Sequence, residues 1–126
     1  MTTNITIKDS AGTDVLFTVV RQPSGTQSAI LHAIDNSAGM NRTGYAKLEI
    51  STRMVNGKTS PTCSTVVPYG AIVNGNFVKA GQVADTRTAS QPADAPTKAR
   101  LDAAAFARNA AQNAQVIALF ETGLIS

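Results

Sequence analysis

The chain carries one cysteine and one histidine in 126 residues, and both scarcities exclude chemistry. Cys63 by itself cannot close an intrachain disulfide, which agrees with a reducing compartment. It has the parity of the apolar positions in its strand, so it is expected as a small buried hydrophobe rather than a nucleophile. His32 lies in the apolar run "SAILHAID", where a satisfied core or interface histidine is expected ahead of a catalytic base. No His, Cys and carboxylate group has metal-ligand spacing, and neither a G-x-G-x-x-G nor a P-loop pattern is present. The acids are scattered singly, and nothing in the pattern supports Glu49 with Asp85 as a catalytic pair. The chain is therefore read as a non-enzyme, with no cofactor, no metal and no small-molecule substrate. No run is long and apolar enough to span a bilayer. "MTTNITIKDS" has no basic start followed by an apolar stretch, so no signal peptide and no membrane partner are expected. The expectation is a protein made and used inside a cell, and the sequons at Asn4 and Asn41 then carry no weight.

What is present is a single domain's worth of chain, 1–126, with a mild net charge of +3. The charge is uneven. Arg42 to Arg87 holds six cations against two acids, a net of +4, while the remainder holds five cations against six acids. A basic middle is a weak pointer to a polyanion; a solvated sheet face is the bland alternative.

The pattern predicts an α+β fold. "NITIKDSAGTDVLFTVVRQ" reads as an N-terminal β-hairpin within residues 1–22, turning at Ser10-Ala11-Gly12. An antiparallel sheet of about five strands in all is expected to continue over 28–89. "SAILHAID" supplies one strand, of ambiguous facing because Ile30 and Leu31 are adjacent; "NSAGMNRTG" follows as a loop. In "YAKLEISTRMVNGKTSPTCSTVVP", Asn56-Gly57 signals a type I′ hairpin, since both central residues need positive φ. Counting outward from Val55 opposite Lys58 places Arg53 opposite Ser60, Ser51 opposite Thr62, Glu49 opposite Ser64 and Lys47 opposite Val66. The same register places Ile50 opposite Cys63 and Leu48 opposite Thr65, so one pairing aligns both polar sets and both apolar sets. Pro61 is expected to interrupt it. Pro68 with "YGAIVNGN" is expected as a loop, and "FVKAGQVADTRTAS" as a last strand in which Gly81 marks a bulge. After the Pro-Ala link "QPADAP", residues 97–123 form an alanine-rich helical region, started at Pro96-Thr97 and stopped at Gly123. Ala99, Ala103, Phe106, Ala110, Ala114, Ile117, Phe120 and Leu124 make its apolar stripe.

One helical region cannot cover a sheet of that width. A symmetric partner is the usual remedy, which leads to an expected obligate homodimer. If the last strand lies beside the hairpin, one sheet face presents Lys47, Arg53, Lys79 and Arg87 among Tyr45, Ser51, Thr62 and Ser64. Cations suit phosphates, and hydroxyls and a tyrosine can hydrogen-bond to or stack on unpaired bases.

This order of elements resembles the coat proteins of single-stranded RNA bacteriophages. The resemblance covers nearly the whole chain and rests on the hairpin "ITIKDSAGTDVLFTVV", the strand "SAILHAID", the hairpin ending in "VVP", the loop after it, and the Pro-containing link into the helical end. It implies an interlocked dimer with helices packed on the partner's sheet. It further implies a small icosahedral shell, usually T=3, assembled in the bacterial host cytoplasm and carried in the virion. The inner sheet face would hold single-stranded genomic RNA, and an RNA hairpin bound there can repress translation. Position by position it carries RNA contact onto Lys47, Glu49, Ser51 and Arg53, onto Thr62 and Ser64, and onto Lys79, Val83, Asp85 and Arg87. The loop at Tyr69 to Asn76 would surround the symmetry axes. The chain departs from better-known members in having Thr62 and Ser64, with no lysine, where they place a Thr/Lys pair for an adenine pocket. It also lacks a base-stacking tyrosine in the last strand. The competing readings are a small dimeric RNA-binding regulatory protein that builds no shell and, more distantly, an enzyme using His32.

Overall fold

The computed structural model describes residues 2–25, 27–34 and 44–124, in two compact units, 1–90 and 91–126. Of the loop expected over 36–44, residues 36–43 lie outside the described residues. The first unit contains β1 (Ile5–Lys8), β2 (Asp14–Arg21), β3 (Ala29–His32), β4 (Lys47–Ser51), β5 (Met54–Val55), β6 (Lys58–Thr59), β7 (Thr62–Val73) and β8 (Asn76–Thr88). Six of these form one antiparallel sheet in the order β1-β2-β3-β4-β7-β8. The expected α+β class is present, with six strands in the main sheet rather than about five.

Turn chemistry sets the registers. In the first hairpin the Asp9 carboxylate accepts from the backbone N–H of Ala11 and of Thr13, both at 2.9 Å, and Gly12 takes φ +81°. In the second, Asn56 and Gly57 have φ of 53° and 74°, the two positive values a type I′ turn requires. Val55 then faces Lys58, and the same frame runs on to Ser51↔Thr62, Glu49↔Ser64 and Lys47↔Val66. Ile50↔Cys63 and Leu48↔Thr65 complete the other face as expected. The interruption at Pro61 is also present: strand pairing lapses between β4 and β5 and between β6 and β7. There the Ser60 N–H still donates to the Arg53 carbonyl at 2.7 Å.

The loop expected from Pro68 onward is instead continuous strand. β7 passes through Pro68 to Val73, turns at Asn74-Gly75 with φ of 52° and 79°, and returns along β8. A second Asn-Gly pair does here what the first does at Asn56-Gly57. Proline is tolerated because β4 pairs with β7 only as far as Val66, so beyond it that side of β7 has no β4 ladder to break.

The core lies between β2, β3 and β4. Phe17, Ala29, Leu31, Ala33 and Leu48 are buried together, with Val15, Val19, Ala46 and Ile50 packed against them. Leu31 is fully buried, so the facing of "SAILHAID" is decided: Leu31 enters the core and Ile30 lies on the opposite face. The expected burial of Cys63 is not found. Its register partner is Ile50, yet it is exposed, because the core ends before β7, where Val67 on the same face is also 56% exposed.

The second unit contains β9 (Gln91–Pro92), α1 (Thr97–Ala110) and α2 (Ala114–Thr122). The expected start holds, as does the stop, where Gly123 adopts φ +76° as a left-handed cap. The helical region is nevertheless two helices. Asn113 breaks it by accepting from the Gln115 N–H at 2.9 Å, an N-cap that begins α2. The stripe from Ala99 to Leu124 is therefore split between two axes. Neither helix buries a single residue, and Phe106 is 72% exposed. No helix among the described residues is long and apolar enough to cross a membrane.

Candidate nucleic-acid interface

The face opposite the core is built by strand alternation. β4 places Lys47, Glu49 and Ser51 there, since Leu48 and Ile50 go to the core side. β3 contributes Ile30 and His32, paired with Glu49 and Lys47. β7 adds Thr62, Ser64 and Val66, and β8 adds Thr88, Thr86 and Ala84 opposite them. The hydroxyls connect across strands: Ser64 Oγ lies 2.9 Å from Thr86 Oγ1, and Thr62 Oγ1 lies 3.3 Å from Thr88 Oγ1. His32 is buried and meets Tyr45 edge-to-face, with ring centroids 6.0 Å apart. Tyr45 thus stands on this face, at its end.

Two β-bulges add cations. Between Val19 and Arg21 the β2–β3 register shifts, so Arg21 pairs with Ile30 rather than continuing on the core side with Val19. Its Nε donates to the Ser28 carbonyl at 3.0 Å and its Nη2 to Ser28 Oγ at 2.8 Å. Ser28 Oγ in turn donates to Glu49 Oε1 at 2.5 Å. The second shift lies between Tyr69 and Gly70, which pair with Gly81 and Lys79 and leave Ala80 as the extra residue. It turns Lys79 onto the face of Gln82, whose Oε1 accepts from Lys79 Nζ at 2.6 Å.

Over β2, β3, β4 and the Val66 position of β7 the face opens into a cavity of about 380 Å³. Val20, Ile30 and Val66 form its apolar walls, and Arg21, His32, Lys47 and Glu49 supply its polar groups. Lys47 is half-buried, and its side-chain ammonium has no hydrogen-bond or ion-pair partner among the described residues. No group of three or more His, Cys, Asp or Glu able to hold a metal ion occurs among the described residues.

The whole chain superimposes on proteins of virus-like particles. It matches the virus-like particle of bacteriophage NT-214 with a TM-score of 0.86 at 19% identity, over 100% of this chain and 98% of that one. It matches that of Beihai levi-like virus 21 with a TM-score of 0.84 at 18% identity, over the same shares. The capsid protein of bacteriophage GA matches with a TM-score of 0.65 at 19% identity, over 94% of this chain and 93% of that one. The chain has the coat-protein fold of levi-like RNA phages. No protein-family model matches it, and no curated protein matches it in sequence.

Within the coat-protein fold, the residues expected to share one face divide between two. Tyr45, Lys47, Glu49, Ser51, Thr62, Ser64 and Lys79 lie together opposite the core. Arg53 lies beyond the end of β4, exposed, on the way into the small hairpin. Val83, Asp85 and Arg87 correct the expectation: their register partners are Val67, Thr65 and Cys63, which places all three on the core side of the sheet. There Arg87 Nη2 stands 3.5 Å from Asp85 Oδ2. Simple parity had joined Lys79 to Asp85 and Arg87; the extra residue Ala80 separates them. Arg21 was missed for the same reason, and Ser28 because the facing of its strand was left open. By alternation Arg21 belongs with Phe17 and Val19, and no glycine or proline in "DVLFTVVR" marks the bulge.

Proposed function

We propose that the chain is a phage coat protein that pairs with a second copy, assembles into a small icosahedral shell and holds single-stranded RNA against the Lys47 face. Its role is structural rather than catalytic, and its place is the virion. The observation that carries this reading is the fold shared end to end with proteins of virus-like particles. Two features of the chain support its parts. Both helices leave every side chain unburied, Phe106, Leu101 and Phe120 at 72%, 62% and 53% exposure. Apolar area left in water forgoes about 25 cal/mol per Å², and a second copy in two-fold symmetry is the simplest cover for it. The Lys47 face, for its part, carries Arg21, Lys47 and Lys79 and a row of hydroxyls, with Glu49 beside Lys47 at the cavity. Such a surface suits a phosphate backbone with unstacked bases.

Electron microscopy of the purified recombinant protein, with extraction of nuclease-protected nucleic acid, tests the reading. Uniform small shells containing RNA are expected. Soluble dimers under all salt conditions would overturn the shell, and shells devoid of RNA would overturn the role of the face.

A further inference from the structure

We propose that the cavity on the Lys47 face seats one unpaired guanine of the bound RNA and that Glu49 reads it; the inference rests on the RNA-holding role proposed above. The cavity is bounded on β7 by Val66 and does not include Thr62 or Ser64, the pair onto which the resemblance carries a base pocket. Its volume of about 380 Å³ falls in the range of small-ligand sites. Val20, Ile30 and Val66 are apolar groups suited to the faces of a planar base.

The exposed carboxylate of Glu49 at the cavity's edge determines which base fits. A carboxylate accepts hydrogen bonds and donates none. Guanine is the base whose Watson–Crick edge sets two donors side by side, N1–H and the N2 amino group. Adenine, cytosine and uracil each set an acceptor next to the donor, and that acceptor would face a carboxylate oxygen. Glu49 is also held in place. Ser28 Oγ donates to its Oε1 at 2.5 Å, and Arg21 grips Ser28 through Nη2 at 2.8 Å and Nε at 3.0 Å. Each carboxylate oxygen has two acceptor positions, so this anchorage leaves capacity for a bidentate pair. The same chain of contacts sets a cation beside the acid, offsetting its repulsion of the RNA backbone. Lys47, also at the cavity, is available to the guanine nucleotide's phosphate. Ser28 and Arg21 are positioning residues in this scheme, and Glu49 is the reader.

The test uses the full chain under conditions where it stays unassembled, titrated by fluorescence anisotropy with four labelled RNA strands at one fixed salt concentration. They are a ten-residue oligouridylate and the same strand with a single central guanosine, adenosine or inosine. The guanosine strand should bind about tenfold tighter than the uridine and adenosine strands, in keeping with a bidentate contact. Inosine lacks the N2 amino group and should fall between. Glu49→Gln should erase the guanosine preference, and Ser28→Ala should reduce it. Equal affinity for all four strands would overturn the guanine seat and leave general RNA holding intact. So would a preference that survives Glu49→Gln, or inosine binding as tightly as guanosine. A uniform rise in affinity for every strand on Glu49→Gln, without loss of selectivity, would reduce Glu49 to a local counter-charge and overturn the seat. Absence of binding to any strand would overturn the RNA-holding role itself, and the seat with it. The inosine comparison needs no substitution, so its outcome stands whether or not a variant folds.

Discussion

Lys47→Ala and Arg87→Ala each remove one cation from a chain of net charge +3, yet they act on opposite faces of the sheet. Lys47 is half-buried beside the cavity, and its ammonium has no partner among the described residues. Arg87 is paired across to Cys63 on the core side and stands 3.5 Å from Asp85. A phosphate contact on a single strand contributes about 0.7 to the slope of log affinity against log salt. Loss of Lys47 should therefore lower that slope by ~0.7 for each chain engaged. Over a fourfold rise in salt this is ~2.6-fold less loss of affinity. Arg87→Ala should leave the slope where it was, because a cation on the other face neutralises no phosphate of the bound strand. The assay is anisotropy with an unstructured oligonucleotide across a salt series for the three proteins in parallel. Net charge changes identically in the two variants, so long-range attraction cancels in the comparison. Equal slopes for the two variants, or a larger drop for Arg87→Ala, would refute the assignment of RNA to the Lys47 face.

Three further outcomes follow from packing. Leu31→Ala removes the one fully buried large side chain among the described residues and should cost about 2–5 kcal/mol in denaturant unfolding; a loss below 1 kcal/mol would mean that the site collapses freely. Gly70→Ala would drive a methyl group into the Val78 carbonyl oxygen and within 2.9 Å of the Ala80 nitrogen, both backbone atoms at the bulge. It should destabilise by about 1–3 kcal/mol, whereas Gly81→Ala meets only the exposed ring end of Tyr69, which can swing aside; paired thermal melts check the contrast, and equal melting temperatures would contradict it. Phe106→Asp places a charge where the chain leaves an aromatic ring 72% exposed. If a second copy covers that ring, size-exclusion chromatography should show monomer in place of dimer, and an unchanged elution volume would remove Phe106 from the interface.

Local rules carried far in this chain. Asn56-Gly57 set the register of β4 against β7 because positive φ at two successive residues admits one tight turn, and the strand period then propagates it to Lys47↔Val66. The same dipeptide at Asn74-Gly75 was overshadowed by Pro68, read as a strand breaker although nothing from β4 lies beside it. Asn113 was legible as a helix N-cap, but the alanine-rich stretch around it has such uniform helix propensity that one continuous helix was expected.

The candidate site was half legible. Lys47, Glu49, Ser51, Thr62 and Ser64 share a face through alternation and one turn, both properties of neighbouring residues. Lys79, Asp85 and Arg87 have one parity in sequence, and the structure separates them because Ala80 is an extra residue opposite no partner. A bulge depends on how two strands fit together, so neither strand announces it alone.

The sequence by itself determined the strands as far as Val67, the tight turn at Asn56-Gly57, the apolar and polar sides of β4 and the first half of β7, and the limits of the helical region. These follow from backbone conformations and periodicities that span a few residues. Only the tertiary structure decided that Arg21 and Lys79 turn onto the same face as Lys47, that Val83, Asp85 and Arg87 turn onto the other, and that Ser28 ties Arg21 to Glu49 at the edge of a cavity. Those outcomes depend on the pairing of strands distant in the chain, where one added residue reverses every side chain that follows it.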